Sequence, residues 1–182
     1  MLTSTRNPLV KNLRQLGLSA KNRRIQQLFL IEGTHAFIEA IATGYPLTTI
    51  CYTENWRDTY PNLYSTFSLE TECLLVSPEV LEAIATTVNP EGVIAVAPIL
   101  AAQPVSINKL GLALESIQDP GNLGAIIRSA VAVGLDGLLI SSDSVDLTHP
   151  KILRATAGQW FRCAMQSVGN LAEEVIGLPK SY

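Results

Sequence analysis

Asp119, Asn122 and Arg128 lie in one stretch, Ile117-Gln118-Asp119-Pro120-Gly121-Asn122-Leu123-Gly124-Ala125-Ile126-Ile127-Arg128-Ser129-Ala130. Asn122 can anchor a polar group. Arg128 keeps its proton at any ordinary pH, so it can donate hydrogen bonds and stabilise negative charge but cannot easily act as a base. No acidic residue close in sequence offers Arg128 an ion partner. A second group follows in Thr148-His149-Pro150-Lys151-Ile152-Leu153-Arg154-Ala155-Thr156-Ala157-Gly158-Gln159-Trp160-Phe161-Arg162, where Lys151 and Arg154 are three apart and share a helix face. Taken alone, Arg128 and Asn122 read equally well as a solvated helix position and a turn former, and the second group reads first as an ordinary helix and turn.

The elements around them determine where these side chains stand. Leu110 to Leu114 reads as a buried strand, Ala125 to Val133 as a helix stopped by Gly134, and Gly137 to Ser141 as the next strand. Strand, Gly/Pro/Asn loop and helix form half of a βαβ unit, the place where α/β enzymes put their chemistry, with Arg128 expected one turn inside the helix. Pro150 can open a further helix, Gly158 end it, and Trp160-Phe161 begin a buried strand. The first half of the chain alternates likewise. A helix capped by Asn7 leads to a basic loop Lys21-Asn22-Arg23-Arg24, a strand Leu28 to Ile31, and a helix Ala36 to Ala42 capped by Thr34. A β-prone run Leu47 to Tyr52, a loop-like Asn55 to Leu69, a strand Leu74 to Val76, a helix Val80 to Thr86 and a buried strand Gly92 to Ala97 complete it. The alternation makes an α/β module over residues 1–97, a linker over 98–108 with two prolines and no charge, and a second α/β module over 109–182.

Composition limits the function classes. The 182 residues are 47% hydrophobic, which implies a real core rather than long disorder. The longest nearly apolar run, Val93 to Ala102, is too short to span a bilayer and is broken by Pro98. The N-terminus shows no signal-like apolar region. Cys51, Cys73 and Cys163 form no C-x-x-C pair and read as reduced core thiols of a cytoplasmic protein. His35 and His149 lack ligand spacing, so no metal is expected. The net charge of −3 conceals an asymmetry: Arg6, Lys11, Arg14, Lys21, Arg23 and Arg24 precede the first acidic residue, Glu32. A basic segment on an acidic body is what a local polyanion contact needs, although an ordinary solvated helix face has the same composition. No aromatic interleaves with these cations, so base stacking from the segment is not expected.

Taken together, the two constellations resemble the SpoU, or TrmH-like, family of RNA ribose 2′-O-methyltransferases in the SPOUT superfamily. The first signature, Asp-Pro-x-Asn-x-Gly-x-Ile-x-Arg-[Ser/Thr]-Ala, is matched by Asp119, Pro120, Asn122, Gly124, Ile126, Arg128, Ser129 and Ala130. The second, Pro-Lys-x-x-Arg-Ala-[Ser/Thr]-x-Gly-x-x-Phe-Arg, is matched by Pro150, Lys151, Arg154, Ala155, Thr156, Gly158, Phe161 and Arg162. Asn7-Pro8-x-Val10-Lys11, the Phe29-Leu30-Ile31-Glu32-Gly33 strand end and Glu91-Gly92-Val93 resemble the family's L30e-like substrate-binding domain. The likeness covers nearly the whole chain.

The resemblance implies an L30e-like α/β domain followed by a SPOUT-type α/β-knot domain. It also implies transfer of a methyl group from S-adenosylmethionine to a ribose 2′-hydroxyl of structured RNA, in a homodimer. Arg128 and Asn122 take the catalytic positions. Arg6, Lys11, Arg14, Lys21, Arg23, Arg24, Lys151, Arg154 and Arg162 are the expected RNA contacts. The family's Asn-Glu-x-x-Gly and Ser-Leu-Asn segments, which build the cofactor pocket and complete the knot, do not occur between Val168 and Tyr182. The expectation is therefore a truncated, frameshifted or shortened catalytic domain, with cofactor residues unknown and donor binding by this chain in doubt. A catalytically silent RNA-binding remnant is the alternative.

Overall fold

The computed structural model describes residues 1–67, 71–101 and 104–178. Two compact units are present, Met1–Ile99 and Leu100–Tyr182.

In the first unit, helix α1 (Pro8–Leu18) begins where the Asn7 side chain accepts the Leu9 N–H and Pro8 fills the first helical position. Val10, Leu13 and Leu16 recur on its buried face. Lys21-Asn22-Arg23-Arg24 is not a loop: it lies in helix α2 (Ala20–Gln26), capped by Ser19. Reciprocal amide bonds of 3.0 and 2.9 Å between Asn12 and Gln26 clamp the two helices. The sheet is mixed, with strands β1 (Leu28–Glu32), β2 (Thr49–Tyr52), β3 (Glu72–Leu75) and β4 (Val93–Pro98) in the order β1-β4-β2-β3, and β2–β3 is its parallel pair. Helices α1 and α6 (Pro78–Ile84) bury Leu13, Leu16, Val80 and Ile84 with Leu30, Cys51, Ile94 and Val96 of the strands.

Tyr52, adjacent to Cys51, points to the opposite face by the pleat. There it meets an aromatic cluster from helix α3 (Thr34–Ala42), helices α4 (Glu54–Thr59) and α5 (Pro61–Tyr64), and Phe67. The expected loop over 55–69 is thus two short helices as far as Tyr64, and its end at Leu69 lies outside the described residues. Thr34 is the first residue of α3 and not its cap. Its hydroxyl accepts the Trp56 indole N–H at 2.9 Å, and its own N–H goes to the Glu91 carboxylate at 2.8 Å. Buried Glu32 accepts from both the N–H and the hydroxyl of Thr86. The two Glu-Gly pairs picked out in the sequence therefore anchor the turns that close this sheet. Gly92 is needed as glycine: its φ is +105°, and a Cβ would stand 2.8 Å from the Trp56 Cβ.

The second unit is a parallel sheet of β5 (Gly111–Leu114), β6 (Gly137–Ser141) and β7 (Met165–Val168), with β6 central and wholly buried. Helices α7 (Pro120–Ala132) and α8 (Pro150–Ala155) bury Leu123, Ile127 and Ile152 against Leu138 and Ile140. A helix α9 (Leu171–Gly177) follows β7. Three expectations are corrected. β5 is an edge strand and only half-buried. α7 starts at Pro120, five residues earlier than the apolar pattern suggested, because Asp119 caps it and the Gly-Asn pair is its first turn. Trp160 and Phe161 sit in a 3-10 turn, Gln159–Arg162, rather than opening the strand.

Of the cysteines, Cys51 is in the core and its thiol is pushed up to about 12 by burial, whereas Cys73 is exposed on the edge strand β3. Around the expected linker, Pro98 still pairs with Leu28, and Val105 N–H already reaches Gln166 Oε1 at 3.2 Å. Ala102 and Gln103 lie outside the described residues.

Entry into β5 is fixed by one carboxylate. Asp136 Oδ2 accepts the N–H groups of Asn108, Lys109 and Leu110, the first at 2.9 Å and the last at 3.0 Å. These donors, Lys109 first, hold the Asp136 carboxyl below its ordinary range. The folded pKa is depressed, so this stabilisation is complete above the unfolded carboxyl value near ~4 and is lost as pH falls through the lower folded value. Asp136→Ala is expected to lower the denaturation midpoint at pH 7 and to make little difference once the pH has fallen through the depressed folded value and the carboxyl is protonated in both states. Urea titrations across that range measure it, and a deficit independent of pH would contradict the assignment.

Candidate functional site

The two sequence constellations meet on α7 and α8. Asp119 Oδ1 accepts the Asn122 N–H at 2.8 Å, closing the first turn of α7. Its other oxygen lies 3.6 Å from Lys151 Nζ at the start of α8. That N–H first, and the Lys151 ammonium after it, hold the Asp119 carboxyl below the usual range. Both side chains of the pair are about half exposed, at 53% and 50%, so it orients more than it stabilises.

One turn on, the helices touch through their smallest side chains. A Cβ on Gly124 would lie 2.4 Å from the Ala155 Cβ and 3.3 Å from Ala155 backbone atoms. Gly121, Gly124 and Arg128 follow one another at three and four residues, a single stripe of α7. Gly121 stands beside Lys151, Gly124 beside Ala155, and Arg128 continues the stripe by another turn. Arg128 is exposed, two turns inside the helix rather than one, and its guanidinium makes no hydrogen bond or ion pair among the described residues. Asn122 is exposed in the first turn.

The remaining motif residues build the frame. His149 Nδ1 accepts the Lys151 N–H and caps α8. Thr156 is fully buried and donates to the Leu153 carbonyl at 2.7 Å. The Trp160 indole N–H reaches the Leu147 carbonyl at 2.8 Å. Among the expected phosphate contacts of this unit, Lys151 is engaged with Asp119, Arg154 is half-buried and Arg162 is exposed.

In the first unit, Arg6, Lys11, Arg14, Lys21 and Arg24 are exposed, and no salt bridge joins them to the described residues. Arg23 is different. It is 1% exposed, and its guanidinium donates to the carbonyls of Leu16 (2.8 Å) and Gly17 (3.4 Å) at the end of α1. A cation placed on those carbonyls caps the helix terminus, so Arg23 is a structural residue and not an RNA contact. No local pattern signals this, because a basic run looks the same whether its members face water or a carbonyl.

Residues 7–95 match the model of the MRM3-like substrate binding domain, and residues 109–182 match that of the SpoU rRNA Methylase family. The chain belongs to the SpoU family. An uncharacterized tRNA/rRNA methyltransferase of Synechocystis is 42% identical over 93% of this chain and 63% of its own length. The 23S rRNA (guanosine(2553)-2′-O)-methyltransferase RlmP of Bacillus subtilis is 29% identical over 88% of this chain and 62% of its own length. The chain thus spans rather less than two thirds of these SpoU relatives. Among solved structures, an RNA 2′-O ribose methyltransferase superposes with a TM-score of 0.78 at 32% identity, covering 96% of this chain and 67% of that one. The SpoU methyltransferase AviRb of Streptomyces viridochromogenes, solved with AdoMet, gives 0.82 at 27% identity over 94% of this chain and 66% of its own. The mixed α/β architecture is accordingly the SpoU fold.

One hollow in the second unit was tested against that methyl donor. It lies between β5 and α9, encloses about 180 Å³ and is lined by Ile107, Ala113, Leu139 and Val175 among other apolar residues. Small-molecule sites run to roughly 300–1,000 Å³ and carry a few polar groups. These residues alone do not fit S-adenosylmethionine, and none is assigned to it.

The helix contact is directly testable. Gly124→Ala is expected to cost about 1–3 kcal/mol, the range for overpacking a close contact. Adding Ala155→Gly should recover part of that loss. Thermal denaturation of the three proteins decides it, and a neutral Gly124→Ala would show that the two helices are free to separate.

Proposed function

We propose that the protein acts in S-adenosylmethionine-dependent methylation of a ribose 2′-hydroxyl in structured ribosomal or transfer RNA. The observation that carries this reading is the exposed guanidinium of Arg128, unpaired among the described residues, on the helix stripe that the two signatures build together. The residues present serve the acceptor side of the reaction. Arg128 donates to the ribose oxygen and stabilises the charge that develops as its hydrogen leaves. That proton passes to water or phosphate, since a guanidinium keeps its own. Asn122, two helical turns away on the same helix, shapes the site's edge. The 2′-hydroxyl is the group that separates RNA from DNA at a contact, so a site built on it selects RNA.

Lys151, Arg154 and Arg162 neutralise flanking phosphates in this proposal, with Lys151 exchanging Asp119 for a phosphate. Arg6, Lys11, Arg14, Lys21 and Arg24 bind the RNA backbone from the first unit, supplying affinity but little sequence choice. A homodimer and a cytoplasmic site of action belong to the same proposal, which invokes no metal or membrane. Among the described residues no cluster of His, Cys, Asp and Glu could hold a metal ion, and no helix is long and apolar enough to cross a membrane.

Arg128→Ala is expected to lower methyl transfer to RNA at least about a hundredfold, the scale for removing a preorganised donor. Transfer of labelled methyl measures this, and unchanged turnover removes Arg128 from the mechanism. Replacing Lys21 and Arg24 with Gln should weaken RNA binding and flatten its log–log salt dependence by roughly one to two. An unaltered slope would return α2 to an ordinary solvated face.

A further inference from the structure

The loops that leave β5 and β6 are tied together by an arrangement that neither signature contains. Ser116 follows β5 with a φ of +53°, a left-handed backbone that serine seldom adopts. Its N–H donates to Ser141 Oγ at 2.8 Å, and its hydroxyl donates to the Asp143 carboxylate. Ile117 N–H donates to Ser144 Oγ at 3.0 Å, and Ile117 O accepts the Val145 N–H at 2.8 Å. The Gln118 side-chain amide reaches Asp143 O at 2.9 Å. Asp119 then caps α7. Every residue from Ser116 to Gln118 is therefore held by the segment 141–145.

The Asp143 carboxylate accepts the Ser116 hydroxyl, and the Ser116 hydroxyl first, with Ser141 after it, holds its carboxyl below the ordinary range. The Ser141 and Ser144 hydroxyls lie 3.0 Å apart, and either can donate to the other.

We propose that Ser116, with Ser141, Asp143 and Ser144, is a positioning latch that sets the start of α7 and so aims Asn122 and Arg128. The latch joins the carboxyl ends of two parallel strands, the edge where α/β sheets present their ligand-facing loops. α7 also has its apolar contacts, Leu123 and Ile127 in the core and Gly124 on Ala155, so the fold does not rest on the latch. What the latch adds is direction, and an error of about 1 Å in a reacting group can cost on the order of a hundredfold in rate.

The assignment of a reaction to Arg128 rests on the function proposed above, so the test reads geometry and turnover separately. Ser116→Gly keeps the left-handed backbone at no steric cost and removes the hydroxyl. Ser116→Asn tolerates that backbone and restores a donor toward Asp143. In the 182-residue chain, Ser116→Gly is expected to shift or broaden the NMR signals of the Asn122 amide and the Arg128 Nε–H. It should leave the melting temperature and the signals of α8 in place, and Ser116→Asn should bring the shifted signals back. In methyl transfer, Ser116→Gly should lower kcat at least about tenfold with KM unchanged. Signals unmoved by Ser116→Gly would overturn the latch, as would moved signals with undiminished kcat. Without methyl transfer by the unaltered chain, the kcat comparison says nothing of the latch, which the NMR result then decides alone.

Discussion

Where α7 passes α8 there is room for one methyl group and no more, and the arrangement of the second unit follows from that restriction. Ala155 supplies the methyl, and Gly124 supplies its absence. Because the helices can come this close, Asp119 at one end of α7 reaches Lys151 at the start of α8, and the two signatures become neighbours. Further along the same stripe the side chain is no longer small but is Arg128, and it leaves the contact for solvent. The spacing that makes the helices pack therefore also decides which residue is presented. Glycine at one signature position and alanine at the other are packing requirements, and the charged residue further along the stripe is the one left to solvent.

The charges divide along the same lines. Carboxylates are used mainly inside the scaffold: Glu32 and Glu91 hold turns of the first unit, Asp136 gathers three N–H groups ahead of β5, and Asp119 caps α7. Most of the cations face outward. Arg23 is the exception among the N-terminal cations, because its guanidinium sits on the carbonyls that end α1. An acidic chain can in this way carry outward basic patches without neutralising them internally.

Much of this was legible in the sequence, for reasons that differ by element. The strand–loop–helix order around Asn122 and Arg128 could be read because Gly, Pro and Asn punctuate apolar runs, and α1 because Val10, Leu13 and Leu16 repeat at helical spacing. α2 could not be read. Its buried residue is an arginine, so its pattern shows no apolar period. α4 and α5 were hidden similarly, each being under two turns long and held by aromatic contacts rather than by propensity. The early start of α7 was missed because Gly121 and Asn122 suggest a turn, and the Asp119 carboxylate that makes them helical acts from outside the helix. The ties at Ser116 depend on a backbone angle and on serines twenty-five or more residues away, which no local pattern encodes.

In the proposed function Arg128 addresses a sugar oxygen and not merely a polyanion, and a double-mutant cycle separates the two. The affinities of the unaltered chain and of Arg128→Ala would be compared for a structured RNA and for the same RNA with a single 2′-deoxy nucleotide at the modified position, at fixed salt. Deleting the hydroxyl is expected to weaken binding to the unaltered chain and hardly to affect Arg128→Ala, giving a coupling on the order of 1 kcal/mol or more, the range for a hydrogen bond to a charged group. Equal losses in both proteins would mean that Arg128 contacts phosphate alone, and the reading of this helix as a ribose-directed site would be wrong.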